Sequence, residues 1–473
     1  MLNSKSIKSA TIWSFAETLI ALGLGVFSIV FLARILTPED YGKVATAQFI
    51  SGFIQVVLSL GLNEVVIQKK DLDGKSIQTF WTATLGISAI AFIVCLIISL
   101  FLFFNNQVII SKILIFEGFN TALILLSIVP TALLMRNLKM KVFAFRTIVS
   151  RIIFFVVAIP LAFADFGLWS IVYANLAQAL IAFILLYIAT RSLIPKTLYF
   201  DKSLFLRSMN FGFYVMVESV LWSFLTRILG ILIAAFHGST ALGLYHMATK
   251  LTDTVLAILN SAITRISLPI FSSVQDNKNK LLFAFQASTY YFNLLSIPMF
   301  LGMAITADYW VPLILGVKWS DIIPLVQIIS VMYAVMYSRM FVGVAIKALG
   351  RSKEFLYLSL SAAIITVVAL ILTKNTDLTT ALLALAIPRI VITIPLGIYL
   401  MKKICGFSLI EQVKPLQLPI FLGLFVLIPV LFIQHTYTGS NQLINLSLQT
   451  STSIFLFLVV ILVLFKMNRL KWR

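Results

Sequence analysis

The sequence predicts an all-α polytopic membrane protein, and three observations support this prediction. Of the 473 residues, 60% are hydrophobic and 11% are charged, whereas soluble domains are about 45–50% apolar and about 25% charged. Long apolar runs recur along the chain, and positive charges cluster in every second segment between them. A mean hydropathy of +1.04 leaves too few solvating side chains to cover a soluble fold. A water-soluble class is therefore excluded.

Apolar runs of sufficient length predict about 14 transmembrane helices, since a span needs about 20 residues to cross a core about 30 Å thick. Continuous runs such as residues 122–135 disfavour a β-barrel, whose strands alternate between apolar and polar residues. The apolar segment 307–321 is predicted to lie on the membrane surface or to form a short re-entrant piece. The predicted spans are 10–35, 42–67, 79–104, 113–134, 147–164, 167–189, 209–236, 244–269, 284–306, 322–346, 356–373, 379–401, 418–434 and 446–465.

The distribution of cations predicts the orientation of these spans. Of the 36 Lys and Arg residues, 25 fall in one alternating set of segments that includes both chain ends, and five fall in the other set. Because cations in short loops are retained on the cytoplasmic side, both termini are predicted to be cytoplasmic. The net charge of +19, which in a soluble chain would suggest nucleic acid, is thereby assigned to topology and to anionic inner-leaflet lipids.

Other chemistry is sparsely represented in the sequence. The two cysteines and three histidines show no ligand-like spacing, so no metal site and no disulfide framework is expected. The segments between spans are short and leave no room for a soluble catalytic domain. We therefore expect no catalytic residues and no enzymatic activity.

A weak internal repeat is indicated by a shift of 201 residues. In this register Glu17 of the first span aligns with Glu218 of the seventh, and Gly42 aligns with Gly243, each glycine following an outer loop. Identities are few, so the similarity alone proves nothing. The coincidence of residue types is compatible with two related halves.

Several strings resemble a known family. These are ARILTPEDYG (33–42), GLNEVVIQKKDLD (61–73), TFW (79–81), LPIFSSVQDNKNKL (268–281), GVKWSD (316–321) and ALGRSKEF (348–355). They are similar to the polysaccharide transporter family of Wzx-type flippases, whose superfamily also contains lipid II flippases and multidrug and toxin extruders. The resemblance covers about the first 355 residues well, and the last spans in hydropathy only.

The resemblance implies a fold, an activity and a location. The fold would be two six-helix bundles forming a V-shaped central cleft, with an N-terminal lobe over 1–207, a C-terminal lobe over 208–401 and an extra helix pair over 402–473. The activity would be movement of undecaprenyl-pyrophosphate-linked oligosaccharide repeat units between leaflets of the bacterial inner membrane by alternating access, for O-antigen, capsule or exopolysaccharide synthesis. Implied partners are the lipid-linked oligosaccharide, membrane lipids, a polysaccharide polymerase and a chain-length regulator. No cofactor is expected beyond a proton or sodium gradient.

Six cations fall inside predicted spans, where an ionisable group is costly and normally faces protein or a wet cavity. A pyrophosphate crossing hydrocarbon needs such donors, and Arg binds phosphate with a bidentate fork. We favour substrate contact for Arg227 and Arg339, whereas substrate contact and helix pairing stay equally open for Lys250, Arg265 and Arg389. Arg151 can reach the inner surface and is not expected to bind cargo.

Three acidic residues complete the predicted set. Glu17 and Glu218 are predicted either to bind a coupling proton or cation, or to form an interhelical hydrogen bond or an ion pair with an arginine inside the membrane. Asp253 lies three residues after Lys250, a spacing that predicts an ion pair on one helical face. Glu64 and Glu117 are assigned to positions nearer the span ends.

Two rivals to the flippase remain. An ion-coupled drug or metabolite exporter of the same superfamily predicts an apolar or acidic cleft, against which the cations count. A membrane glycosyltransferase or polymerase needs catalytic residues on a sizeable outer loop, and the longest outer segment has about 15 residues.

Overall fold

The computed structural model describes residues 20–436, apart from positions 29, 70, 71, 138, 196, 275 and 350. Within the helices, the side chains of 210–227, of 261–270 and of a few other residues are not described. The described residues form helices and connecting turns, with no strand among them. The helices are α1 (Ile20–Ile35), α2 (Pro38–Leu58), α3 (Leu62–Gln68), α4 (Gly74–Phe104), α5 (Val108–Leu126), α6 (Ile128–Arg136), α7 (Met140–Phe163), α8 (Trp169–Thr190), α9 (Lys202–Ser273), α10 (Lys278–Ile305), α11 (Ala307–Leu315), α12 (Ile323–Tyr337), α13 (Phe341–Ala348), α14 (Ser352–Leu372), α15 (Leu378–Cys405), α16 (Leu409–Val413) and α17 (Gln417–Thr436).

The all-α polytopic fold class is confirmed. Within the described ranges, seven helices are long and apolar enough to cross a membrane, and an eighth span results if the bent pair α10 and α11 is counted as one. The axes of α10 and α11 differ by 76°, so the predicted surface or re-entrant segment does begin with a separate short helix. The predicted span 446–465 and the start of the first span lie outside the described residues.

The first compact unit comprises residues 1–243. Its central helix is α5, which packs against α2, α4 and α8. Polar caps set where the helices begin: the Thr37 hydroxyl accepts from the Asp40 backbone N–H while the Asp40 carboxylate accepts from the Thr37 N–H, and Asp73 caps α4 through the Ser76 N–H. The Asp73 cap begins α4 about one turn before its predicted apolar run.

The second compact unit comprises residues 244–473. Here α10 packs against α12, α13 and α17, and α15 packs against α12 and α14. Fully buried phenylalanines make much of its core, and the rings of five of them meet in stacked, tilted and edge-on pairs. These five are Phe271, Phe285, Phe292, Phe341 and Phe407. The predicted lobe boundaries at 207 and 401 stay predictions.

A break at Gly238 divides the long helix α9. Its 72 residues would extend about 108 Å as one helix, more than three times the hydrocarbon thickness. Gly238 has φ 85° and ψ 174°, a conformation that a side chain would disfavour. The break therefore separates two helical stretches, and the predicted spans 209–236 and 244–269 lie on either side of it.

Two glycines related by the 201-residue shift meet in the first unit. A Cβ on Gly42 would overlap the carbonyl oxygen of Ser239 and lie 3.1 Å from the Gly243 nitrogen. A Cβ on Gly243 would overlap the carbonyl oxygen of Pro38 and lie 2.9 Å from the Gly42 nitrogen. The contact is reciprocal, with each helix start offering the same positions to the other, as in a two-fold interface. We call it the glycine crossing.

Candidate functional site

A polar cluster lies in the membrane-spanning part of the second unit. The Tyr333 hydroxyl on α12 donates to Asp253 Oδ1 on α9 at 2.6 Å. The Asp253 side chain is otherwise exposed, and the bond gives it a partner other than the predicted Lys250. Asp253 is thus held in place while one of its faces stays open.

Two further tyrosines and an arginine complete this cluster. Tyr245 and Tyr337 both interact electrostatically with Asp253 and with Arg389 of α15. The rings of Tyr333 and Tyr337 meet edge to face, with centroids 4.9 Å apart. We call these five residues the tyrosine cluster. Counted from the helix starts, Arg389 and Tyr333 lie about 15–17 Å deep, near the middle of a bilayer core.

Arg389 is the cation best placed to receive an anion. Its Nε is buried and has no hydrogen-bond partner among the described residues. Pro388 precedes it, and the Thr393 hydroxyl donates to the Arg389 carbonyl at 2.5 Å. A guanidinium that retains an unused donor in this setting is a candidate for binding a phosphate.

Arg339 contacts a glutamine of the segment that follows α15. It lies in the break between α12 and α13, and its Nη2 donates to Gln412 Oε1 at 2.6 Å. The Gln412 amide donates in turn to the carbonyls of Phe407 and Ile398, at 2.9 and 3.3 Å. Arg339 therefore anchors the segment after α15, and a role in cargo binding stays a prediction.

For the other predicted site residues, the structure gives few contacts or none. Lys250 is exposed on α9 and interacts electrostatically with His246. Arg151 lies within 3.9 Å of the Cβ position of Gly25, so its guanidinium lies against α1. Glu17 and the side chains of Glu218, Arg227 and Arg265 lie outside the described part, and their roles stay predictions.

A basic cavity of about 650 Å³ lies in the first unit, at the helix ends that adjoin cation-rich segments. Lys69 and Arg207 line it together with Asp201, Ser203 and Ser208. Lys69 Nζ donates to Ser76 at 2.9 Å, and Arg136 closes α3 by donating to the carbonyls of Val66, Ile67 and Lys69. The predicted inner end thus has a structured, positively charged recess.

Sequence reasoning missed two features. The tyrosines of the cluster were not singled out, although Tyr333 and Tyr337 are four residues apart and so share one helical face. Glu117 was assigned to the end of a span that was predicted to begin at 113. The helix instead begins at Val108, which places Glu117 more than a turn deeper. In the part of the chain that is described, no three His, Cys, Asp or Glu side chains are grouped so as to hold a metal ion.

The fold and the charged residues inside it define a multi-pass, all-α membrane protein. A family model described as "Polysaccharide biosynthesis protein" matches residues 31–324, and the chain belongs to this family.

Curated relatives agree with that assignment. The lipopolysaccharide biosynthesis protein WzxC of Escherichia coli (strain K12) is 23% identical over 70% of this chain and 67% of its own length. The succinoglycan biosynthesis transport protein ExoT of Rhizobium meliloti (strain 1021) is 23% identical over 69% of this chain and 66% of its own length.

Among solved structures, the lipid II flippase MurJ in an inward closed conformation is 14% identical, with a TM-score of 0.76 over 97% of this chain and 99% of that one. An inward-facing multidrug transporter of the MATE family is also 14% identical, with a TM-score of 0.59 over 82% and 95%. At these identities the structures show a shared fold.

Proposed function

We propose that this protein is a flippase that moves undecaprenyl-pyrophosphate-linked oligosaccharide repeat units from the inner to the outer leaflet by alternating access. The product would supply a surface polysaccharide such as O-antigen, capsule or exopolysaccharide. The prenyl tail can stay in lipid, so the protein has to shelter only the pyrophosphate and the sugars.

The observation that carries the proposal is the likeness in fold to a lipid II flippase along nearly the whole chain. The family match supplies the link to polysaccharide synthesis. The structural neighbour MurJ is named a lipid II flippase, and the relative ExoT is named a transport protein of succinoglycan biosynthesis. Both names describe movement of a cargo, which agrees with a transport function.

The charges of the described residues support an anionic cargo. Arg389 has an unpartnered Nε at mid-membrane depth among the described residues, and the tyrosine hydroxyls nearby can hydrogen-bond sugars or phosphate. The basic cavity around Lys69 and Arg207 is suited to attract the headgroup before it enters. Predicted substrate contacts therefore include Arg227, Arg339, Lys250, Arg265 and Arg389, with Arg389 now the strongest.

The remaining parts of the proposal follow from topology. The chain would be a transporter without enzymatic activity, located in the bacterial inner membrane with both termini in the cytoplasm. Its lobes would be 1–207 and 208–401, followed by a helix pair over 402–473. A polysaccharide polymerase and a chain-length regulator are proposed partners, and a proton or sodium gradient is the proposed driving force.

A deletion strain tests this function and identifies the cargo. We expect loss of the protein to cause a lipid-linked repeat unit to accumulate on the inner leaflet, with mass spectrometry of extracted lipids giving its composition. Complementation with the intact chain should restore surface polymer. If lipid-linked intermediates were undisturbed, the flippase assignment would fail and a drug or metabolite exporter would become the better explanation.

A further inference from the structure

Glu117 is a buried carboxyl group that the proposed cargo path does not use. It lies on α5 in the first unit and is only 4% exposed. Its Oε1 accepts a hydrogen bond from Gln48 Nε2 of α2 at 3.2 Å, and its Oε2 accepts from Asn120 Nδ2 one turn along at 3.1 Å. Both partners are neutral amides.

Glu117 and its neighbours Gln48 and Cys95, which lie on three different helices, are at the same depth in the membrane. Glu117 follows the start of α5 by nine residues, Gln48 follows the start of α2 by ten, and Cys95 precedes the end of α4 by nine. At about 1.5 Å per residue, all three lie about 14 Å from the same membrane face. This is close to the centre of a core about 30 Å thick.

No cation neutralises this carboxyl group in the part of the chain that the structure describes. From α4 the nearest titratable group is the buried Cys95 thiol, which interacts electrostatically with Glu117. From α8, Tyr173 packs against the neighbouring Phe116 with ring centroids 5.5 Å apart. On α5 itself, Lys112 is exposed.

The charged groups of α2 lie at its outer start, and they already have partners. Lys43 pairs with Glu39 at 2.6 Å, and Asp40 is bonded to Thr37 within the capping box. Tyr41, also on this turn, is buried. Among the described residues, the groups that contact Glu117 at mid-depth are therefore neutral.

This environment suits a group that changes protonation state. An unpaired carboxylate is disfavoured in a membrane interior, so the neutral acid is the natural form when the site is closed. The amide groups of Gln48 and Asn120 can hydrogen-bond to either the ionised or the protonated form of Glu117. A 180° rotation of the amide group presents its carbonyl acceptor in place of its NH₂ donor. The site can thus gain or lose a proton without losing its hydrogen bonds.

Asp253 provides a contrast in the second unit. It is exposed and interacts with a tyrosine hydroxyl, and its cluster contains Arg389. Asp253 Oδ1 accepts from a phenol hydroxyl, whereas both carboxylate oxygens of Glu117 accept from amides.

We propose that Glu117 is a proton-binding site of the transport cycle, taking up a proton in one conformation and releasing it in another. The proposal rests on the proposed flippase function for its role in transport. Proton binding itself is a property of the first unit and can be measured without the cargo.

Infrared difference spectroscopy tests the proton site directly. Purified full-length protein in vesicles is titrated from alkaline to acidic pH, and the carbonyl band of a buried carboxylic acid is recorded. We expect this band in the unaltered protein and a clear loss of its intensity in Glu117→Gln, a change of nearly equal shape that keeps hydrogen bonding. The matched control is Glu39→Gln, at an exposed acid in the same unit, which should leave the band unchanged. A band of undiminished intensity in Glu117→Gln overturns the proposal.

Transport in the same vesicles tests coupling. We expect a pH gradient to accelerate flipping in the unaltered protein and in Glu39→Gln, and to have no effect in Glu117→Gln, which should still bind cargo. Gradient stimulation retained in Glu117→Gln, or absent from the unaltered protein, would refute the coupling role while leaving the flippase intact. Absence of any flipping would instead overturn the proposed function, and the infrared band would still decide whether Glu117 takes a proton.

Discussion

Replacement of Gly42 by alanine is expected to destabilise the protein by about 3 kcal/mol, since overpacking a tight contact typically costs about 1–3 kcal/mol and here the overlap is with backbone. The added Cβ would meet the carbonyl oxygen of Ser239, which cannot move aside as a flexible side chain could. The two helix starts would have to separate. Thermal unfolding of the purified protein in detergent, followed by loss of solubility or by tryptophan fluorescence, measures the effect.

The glycine crossing also offers a sharper form of this test. Gly86→Ala is the matched control, because a Cβ at that position of α4 meets no atom within 4 Å. Gly243→Ala should cost about as much as Gly42→Ala, as the contact is reciprocal. The double variant should cost less than the sum of the two, since one separation of the helices relieves both overlaps. Full additivity, or a Gly42→Ala variant as stable as Gly86→Ala, would contradict the crossing.

Reversal of charge at Arg389 is the second large effect. Arg389→Glu would place a second carboxylate in the tyrosine cluster, opposite an anionic cargo, so we expect surface polymer to be abolished while the protein still inserts. Arg389→Lys keeps the charge but loses the bidentate fork. With charge-assisted hydrogen bonds worth about 1.5–3 kcal/mol, the lysine variant should lose about tenfold or more in transport rate.

Immunoblotting of membranes and quantification of surface polymer check this prediction together. Arg191→Glu is the control, because Arg191 is exposed in the turn after α8. It should insert and export normally. Normal polymer in Arg389→Glu would remove this residue from the cargo path and return attention to Arg227 and Arg265.

The helices could be predicted from the sequence because hydropathy and membrane thickness decide them together. The boundaries were less exact where polar residues extend a helix. The fourth helix begins at Gly74 and not at 79, because Asp73 caps a first turn that contains Lys75 and Gln78. Hydropathy does not register such a turn.

The site was predictable only where charge made it visible. Arg389 and Asp253 stood out as ions in apolar runs, whereas Tyr245, Tyr333 and Tyr337 did not, because tyrosine is common in membrane proteins and only packing brings three together. Glu117 escaped because its depth depends on where α5 begins. The 201-residue shift related Gly42 to Gly243, but no sequence pattern could show that the two touch.

The central claim, that this protein moves a lipid-linked oligosaccharide across a bilayer, is tested most directly in vesicles. The lipid that accumulates in the deletion strain would be incorporated into both leaflets with or without the purified protein, and a membrane-impermeant glycosidase added outside. We predict that the protein makes the inner-leaflet oligosaccharide cleavable as well, at a rate that falls with Arg389→Glu. Cleavage limited to the outer-leaflet fraction, with or without the protein, would contradict the account.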